Sequence, residues 1–98
     1  MAAYVVANYR ITDPAGYEPY VPLVLPTLLA AGAEILVADY ESEAMEGAAQ
    51  HVTVVVRFAS KSAARAWYNS AEYQSIVHHR TNHTEGSLMI VDQFVMPG

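Results

Sequence analysis

Phe58-Ala59-Ser60-Lys61-Ser62-Ala63-Ala64-Arg65-Ala66-Trp67-Tyr68-Asn69-Ser70-Ala71-Glu72-Tyr73, running on to Arg80, is the stretch on which the fold of this chain turns. It predicts the end of a strand, a capped helix, a two-residue break and a second capped helix. Ser60 and Ser70 each stand where a side-chain oxygen can accept the free backbone N–H groups that open a helix. Counted from Tyr73, the residues Tyr73, Ile76, Val77, Arg80 and Thr84 recur at helical spacing and share one face. Four of the five suit a core or its border. Arg80 does not, and a guanidinium aimed inward needs an acceptor, a bound anion or a route back to water.

Outward from that segment, the pattern resolves into few elements. Tyr4 to Ile11 alternates as a strand, with Val5, Ala7, Tyr9 and Ile11 on one face and Tyr4, Val6, Asn8 and Arg10 on the other. Asp13-Pro14 is a helix start, Asp13 as N-cap and Pro14 in the first turn. Tyr17, Tyr20, Val21, Val24, Leu25, Leu28 and Leu29 then recur at three- and four-residue spacing. Pro19, Pro22 and Pro26 fall together opposite this stripe, so the hydrogen bonds they remove lie towards solvent. The segment from Pro14 to Ala31 is therefore expected to be helical, broken near Pro19 and stopped at Gly32. Ala33 to Tyr40 is a second strand, Glu41 to Gln50 an acidic connector and His51 to Phe58 a third strand. Gly86 is expected to end the second helical region, and Ser87 to Val95 to form the last strand.

The order is β-α-β-β-α-β with a split second helix. Right-handed crossovers make this an α+β, ferredoxin-like antiparallel sheet with both helical regions on one face, spanning residues 1–98 as one domain. The uncovered face carries Tyr4, Val6, Leu36, Tyr40 and Val55 among Asn8, Arg10, Thr53 and Arg57. Apolar and aromatic residues make up 53% of the 98 residues and charged residues 15%, more greasy surface than a small core can hide. A homodimer through the uncovered face is the expected remedy. No apolar run approaches the ~18 residues that cross a bilayer. A net charge of −5 argues against nucleic acid. The absence of cysteine and of a basic leader fits the cytoplasm.

Asp13-Pro14 with Tyr17 and Tyr20, Pro26 leading to Gly32, Glu46-Gly47 ahead of a valine-rich strand, Ala66 to Tyr73, Arg80 and Ile90-Val91-Asp92 together resemble the domain-of-unknown-function family 1330, over nearly the whole chain. The tryptophan-tyrosine-x-serine-x-glutamate-tyrosine run is the specific part. The resemblance implies a dimeric α+β barrel in which two ferredoxin-like sheets pack face to face, and no established reaction or cofactor. It also draws attention to Glu46, which on its own reads as a solvated turn residue. Gly32 stands single before Ala33 where the family often has a pair, and Pro19 and Pro22 are additions; both bear on the path of the first helix.

Candidate ligand-binding residues are Arg80 with Tyr73, Trp67, Tyr20 and Glu46. Arginine offers a planar fork to a carboxylate or enolate, and phenols orient or protonate an oxyanion. The bland alternative is an internal tie, Arg80 bridging to Glu46 or to helix-end carbonyls. His79 or His83 beside Arg80 suits acid/base work, since an unperturbed imidazole titrates near neutrality. His79 and His83 are one helical turn apart, but no carboxylate completes a metal set, so His78, His79 and His83 are expected to be a surface cluster complementing a helix C-terminus. No metal, no cofactor, no Ser-His-Asp arrangement and no phosphate loop is expected. Two functional classes remain. One is a small-molecule pocket protein, extending to a cofactor-free enzyme acting on an anionic oxygenated metabolite; the other is a non-catalytic ligand-binding or structural homodimer. Cofactor-free oxygenases and lactone isomerases share the architecture, an analogy of fold alone.

Overall fold

In the computed structural model, which describes all 98 residues, β1 (Ala3–Ile11) is the central spine of the molecule. Its alternation follows the sequence: Ala3, Val5, Ala7 and Tyr9 are buried, and the intervening residues reach the opposite face. β1 pairs antiparallel with β3 (Val52–Phe58) on one side and with β4 (Thr84–Asp92) on the other. β2 (Glu34–Asp39) closes the sheet beyond β3, giving the order β2-β3-β1-β4. This is the antiparallel ferredoxin-like α+β arrangement.

The first helical region is broken where the prolines require it. α1 (Pro14–Tyr17) is one turn, Glu18 and Pro19 interrupt it, and α2 (Tyr20–Ala30) carries the rest. Pro19, Pro22 and Pro26 are all exposed, while Tyr17, Tyr20, Val24 and Leu28 are buried. The segregation of prolines from the apolar stripe is what lets α2 survive Pro26 in its interior. Asp13 does not cap α1 through its side chain. Its carbonyl accepts from Tyr17 N at 3.0 Å, and its carboxylate lies 4.0 Å from His83 Nε2 instead.

The second helical region is capped as its serines predict. Ser60 Oγ accepts from Ala63 N at 3.0 Å to open α3 (Lys61–Tyr68), and Ser70 Oγ accepts from Tyr73 N at 3.2 Å to open α4 (Ala71–Gln74). A short α5 (His78–Thr81) follows. Tyr73 and Arg80 are buried and Ile76, Val77 and Thr84 half-buried, so the face counted from Tyr73 does point inward.

Two expectations are corrected. Gly86 does not end a helix; it lies within β4, opposite Tyr9, and the strand runs from Thr84 to Asp92 and not from Ser87 to Val95. Tyr40 does not lie on the uncovered face. Ile35 pairs with Val56 and Val37 with Val55, so Leu36 is an extra residue, a bulge that shifts the alternation of β2 by one. Ala38, and Tyr40 beyond it, are thereby turned towards the helices, and Val37 takes a place on the uncovered face beside Val6 and Val55. There Asn8 and Thr53 form a polar patch. Asn8 Nδ2 donates to the Gln50 and Val52 carbonyls and to Thr53 Oγ1, each at 3.0 Å, and Asn8 Oδ1 accepts from Gln50 N at 2.9 Å.

Gly86 is required by space. A Cβ at this position falls onto the Asn8 carbonyl oxygen and the Tyr9 backbone, which cannot move without disturbing the central strand. Gly86→Ala is expected to lower stability by about 1–3 kcal/mol, the usual cost of overpacking. Urea unfolding should show it as a lower midpoint at unchanged slope.

Candidate functional site

Between α2 and the helix-covered face of the sheet lies a cavity of about 140 Å³. Sixteen of its seventeen lining residues are apolar or aromatic, and the exception is Arg80. β1 and β3 supply the floor through Val5, Ala7, Tyr9, Val54 and Val56; α2 supplies a wall through Tyr20, Val24 and Leu28. The bulged β2 adds Ile35 and Ala38, with Tyr40 just beyond the strand. Trp67 reaches in from α3.

Arg80 is the one charged side chain in the buried set, 8% exposed. Its guanidinium carbon lies 5.9 Å from the ring centres of both Tyr9 and Tyr20, within the range of cation–π attraction. No carboxylate lies within ion-pairing distance; the three ion pairs of the protein involve Arg10, Lys61 and His83. Its Nε, wholly shielded from solvent, has no hydrogen-bond partner. Burial works against the charge, but the Tyr73 and Tyr20 phenols more than offset it and leave the pKa raised. No hydrogen bond of good geometry joins Arg80 to either phenol, and the two hydroxyls bond each other at 2.8 Å. The result is a buried, permanently charged group without a counter-ion.

Tyrosines surround it. Beside the Tyr20–Tyr73 pair, Tyr9 and Tyr17 hydroxyls are 2.6 Å apart and Tyr17 and Tyr40 hydroxyls 2.9 Å apart. Five of the seven tyrosines are thus joined in two hydrogen-bonded groups flanking Arg80. Burial pushes the Tyr9 hydroxyl up to about 12, partly opposed by its bond to Tyr17. Tyr17 and Tyr20 are raised as well, by burial first and then by their phenol neighbours. All three are neutral donors at any physiological pH.

Of the residues singled out in the sequence, Tyr20, Trp67, Tyr73 and Arg80 come together. Trp67 satisfies its indole N–H on Thr27 Oγ1 at 3.0 Å and stacks on Tyr73 with ring centres 4.1 Å apart, so it is cavity wall and core filler at once. Glu46 and His79 are not brought there. Glu46 sits exposed in the loop after β2 and forms no ion pair with Arg80. His79 points elsewhere because adjacent helical residues diverge by ~100°; its ring packs on His78 at 4.1 Å between centres. Its pKa is lowered, by desolvation first and then by His78 and His83. No three histidine and carboxylate side chains converge as a metal site. Tyr9, Tyr17 and Tyr40 were not among the sequence candidates. The signal available for the first two was a phenol at a core-facing position, which must find a partner when buried.

The model for the domain of unknown function DUF1330 matches residues 2–94. This chain belongs to the DUF1330 family. No curated protein is significantly similar to it. Among solved structures, a protein of unknown function from Rhodopseudomonas palustris superposes with a TM-score of 0.78 at 13% identity, covering 97% of this chain and 84% of that one. A Caulobacter crescentus protein described as a candidate antibiotic biosynthesis monooxygenase gives 0.62 at 16% identity, over 91% and 84%. Rv0793 from Mycobacterium tuberculosis gives 0.59 at 14% identity over the full length of both chains. At these identities the likeness is one of fold. Within this DUF1330 member, no helix is long and apolar enough to cross a membrane.

The raised phenols fix an alkaline limit. Unfolded tyrosine ionises near pH 10, so the stability held by neutral, buried Tyr9 is complete below that pH and is lost as pH rises from ~10 towards 12. Tyrosinate absorbance and circular dichroism, followed together, should show the buried phenols ionising only with cooperative unfolding above pH ~10. Titration of all seven tyrosines near pH 10 in a folded protein contradicts this.

Proposed function

We propose that this protein binds a small, oxygenated, anionic metabolite in the cavity beside Arg80, with the guanidinium as counter-ion. The observation that carries the proposal is the buried Arg80 without an acceptor at the edge of an otherwise apolar cavity. An internal tie would show the partner that Arg80 lacks; a binding group waits for one that arrives with the ligand. The size of the cavity limits that ligand. An engineered apolar cavity of roughly 150 Å³ takes up benzene, so about 140 Å³ suits one ring or a group of similar bulk bearing a carboxylate, phenolate or enolate.

A cofactor-free enzyme is the more specific form of the same reading. Arg80 and the phenols beside it are hydrogen-bond donors and a charge placed where an enolate oxygen would sit, against apolar walls that exclude water. This is the setting in which oxyanion stabilisation is most effective. A solved neighbour described as a candidate monooxygenase lends support by fold. No Asp, Glu or His lines the cavity, so the site favours holding an anion over making one with a resident base. A non-catalytic binding dimer is the competing form, and turnover of enolisable one-ring acids or phenols, followed as oxygen consumption, separates the two.

The protein is a homodimer in this proposal. Tyr4, Val6, Val37, Val55, Met89 and Val91 lie at uncovered-face positions, and a second copy of the sheet is the complementary cover. The interface is expected to bury at least the roughly 1,200 Å² of a specific complex. A monomer by sedimentation at micromolar concentration contradicts it.

Calorimetry with benzoate, 4-nitrophenolate and the neutral benzyl alcohol tests the site. Both anions should bind, and Arg80→Met should weaken them about ten- to a hundredfold, the value of a lost charge-assisted hydrogen bond. Benzyl alcohol should be little affected. Equal binding of the anions by wild type and Arg80→Met would place the ligand elsewhere.

A further inference from the structure

Tyr9, Tyr17 and Tyr40 stand in file, their hydroxyls 2.6 and 2.9 Å apart. Tyr9, 2% exposed, lines the cavity beside Arg80; Tyr40, 40% exposed, stands at its outer rim. Each phenol has one proton to give and room to accept, so three hydroxyls with two bonds between them can all point outward or all inward. Both senses are compatible with the same oxygen positions. The bulge at Leu36 is what sets Tyr40 at the outer end, since without it the residue would face the other side of the sheet.

We propose that Tyr9, Tyr17 and Tyr40 form a proton path between the buried anion site and water, through which a weakly acidic enol or phenol ionises after it has entered the cavity. The path rests on the anion-site reading above. It supplies what the cavity lacks, a way to remove a proton where no carboxylate or imidazole is present. In the outward sense the ligand O–H donates to the Tyr9 oxygen, Tyr9 to Tyr17, Tyr17 to Tyr40, and Tyr40 to water. In the transfer each O–H bond in this series breaks as the bond to the next oxygen forms. Water takes up one proton, the ligand oxygen keeps the electron pair beside Arg80, and every tyrosine ends neutral. The file is then reversed, with Tyr9 donating to the new anion, Tyr17 to Tyr9 and Tyr40 to Tyr17. The reversal adds a hydrogen bond to the product anion, and once the anion leaves, rotation of the three hydroxyls restores the outward sense. Tyr20 and Tyr73 form no such file, because Tyr73 is fully buried and their hydroxyls bond each other and no exposed phenol.

The path is tested with 4-nitrophenol, whose ionisation is visible by absorbance. The neutral probe is bound to excess protein at a pH below its pKa, and the pH is raised in a stopped-flow instrument. In the wild type the bound probe should ionise faster than it dissociates. Tyr17→Phe, which removes both links, and Tyr40→Phe, an exposed change that removes only the exit, should each slow ionisation of the bound probe by roughly a hundredfold, the low end of what a positioned proton acceptor contributes. An ionisation rate unchanged by Tyr40→Phe overturns the proposal. A second readout needs no ligand: exchange of the Tyr9 hydroxyl proton with solvent, followed by NMR, should slow in Tyr40→Phe, and an unchanged rate again overturns the path. Failure of the wild type to bind 4-nitrophenol, together with slowed exchange in Tyr40→Phe, refutes the anion site and leaves the proton path standing.

Discussion

A guanidinium cannot shed its charge and must be stabilised wherever the chain puts it. In this fold the second helical region carries Arg80 over the central strand, where its guanidinium carbon lies 5.9 Å from the ring centres of Tyr9 and Tyr20. Two cation–π contacts, each worth about 0.5–2 kcal/mol, offset part of the desolvation cost and no anion of the protein offsets the rest. The rest of the site is arranged around that imbalance. Aromatic walls lower the dielectric and so strengthen attraction for an incoming anion, and the phenols are held neutral by the same burial.

The elements that make the cavity are also those that depart from regular structure. The break at Glu18-Pro19 lets α1 hold Tyr17 over Tyr9 while α2 presents Tyr20, Val24 and Leu28 to the sheet. The bulge at Leu36 turns Tyr40 inward to close the rim, and Gly86 lets β4 approach the backbone at Tyr9. Without the bulge in β2, Tyr40 would face the other side of the sheet, away from Tyr17. Regular secondary structure builds the frame, and three local irregularities build the site.

The frame was legible in the sequence because its signals are periodic and mutually consistent. Serine caps at Ser60 and Ser70, alternation along β1 and β3, and prolines segregated from an apolar stripe each point to one outcome. Arg80 stood out because a single charge interrupts an otherwise apolar face. The side on which Tyr40 lies is hidden in the sequence because Ile35, Leu36 and Val37 are all apolar, so alternation there cannot reveal an inserted residue. Gly86 reads as a helix stop because a glycine needed for close approach looks, in sequence, like one needed for a turn. Glu46 is marked by family resemblance alone, and nothing in the spacing of residues ties it to Arg80. His79 could have been set aside from the sequence, since its neighbour on the helix cannot share its face.

The central claim is that Arg80 is held for a ligand and not for the fold, and the ligand-free stability of Arg80→Met tests it most directly. Methionine keeps the length and apolar stem of the side chain while removing its charge. Equilibrium unfolding in denaturant, with no anion added, should find Arg80→Met as stable as the wild type or more stable by about 1–4 kcal/mol, as when buried charges give way to apolar groups of similar volume. A loss of about 3–5 kcal/mol, the usual result of breaking a buried ion pair, would contradict the account and make Arg80 an internal tie.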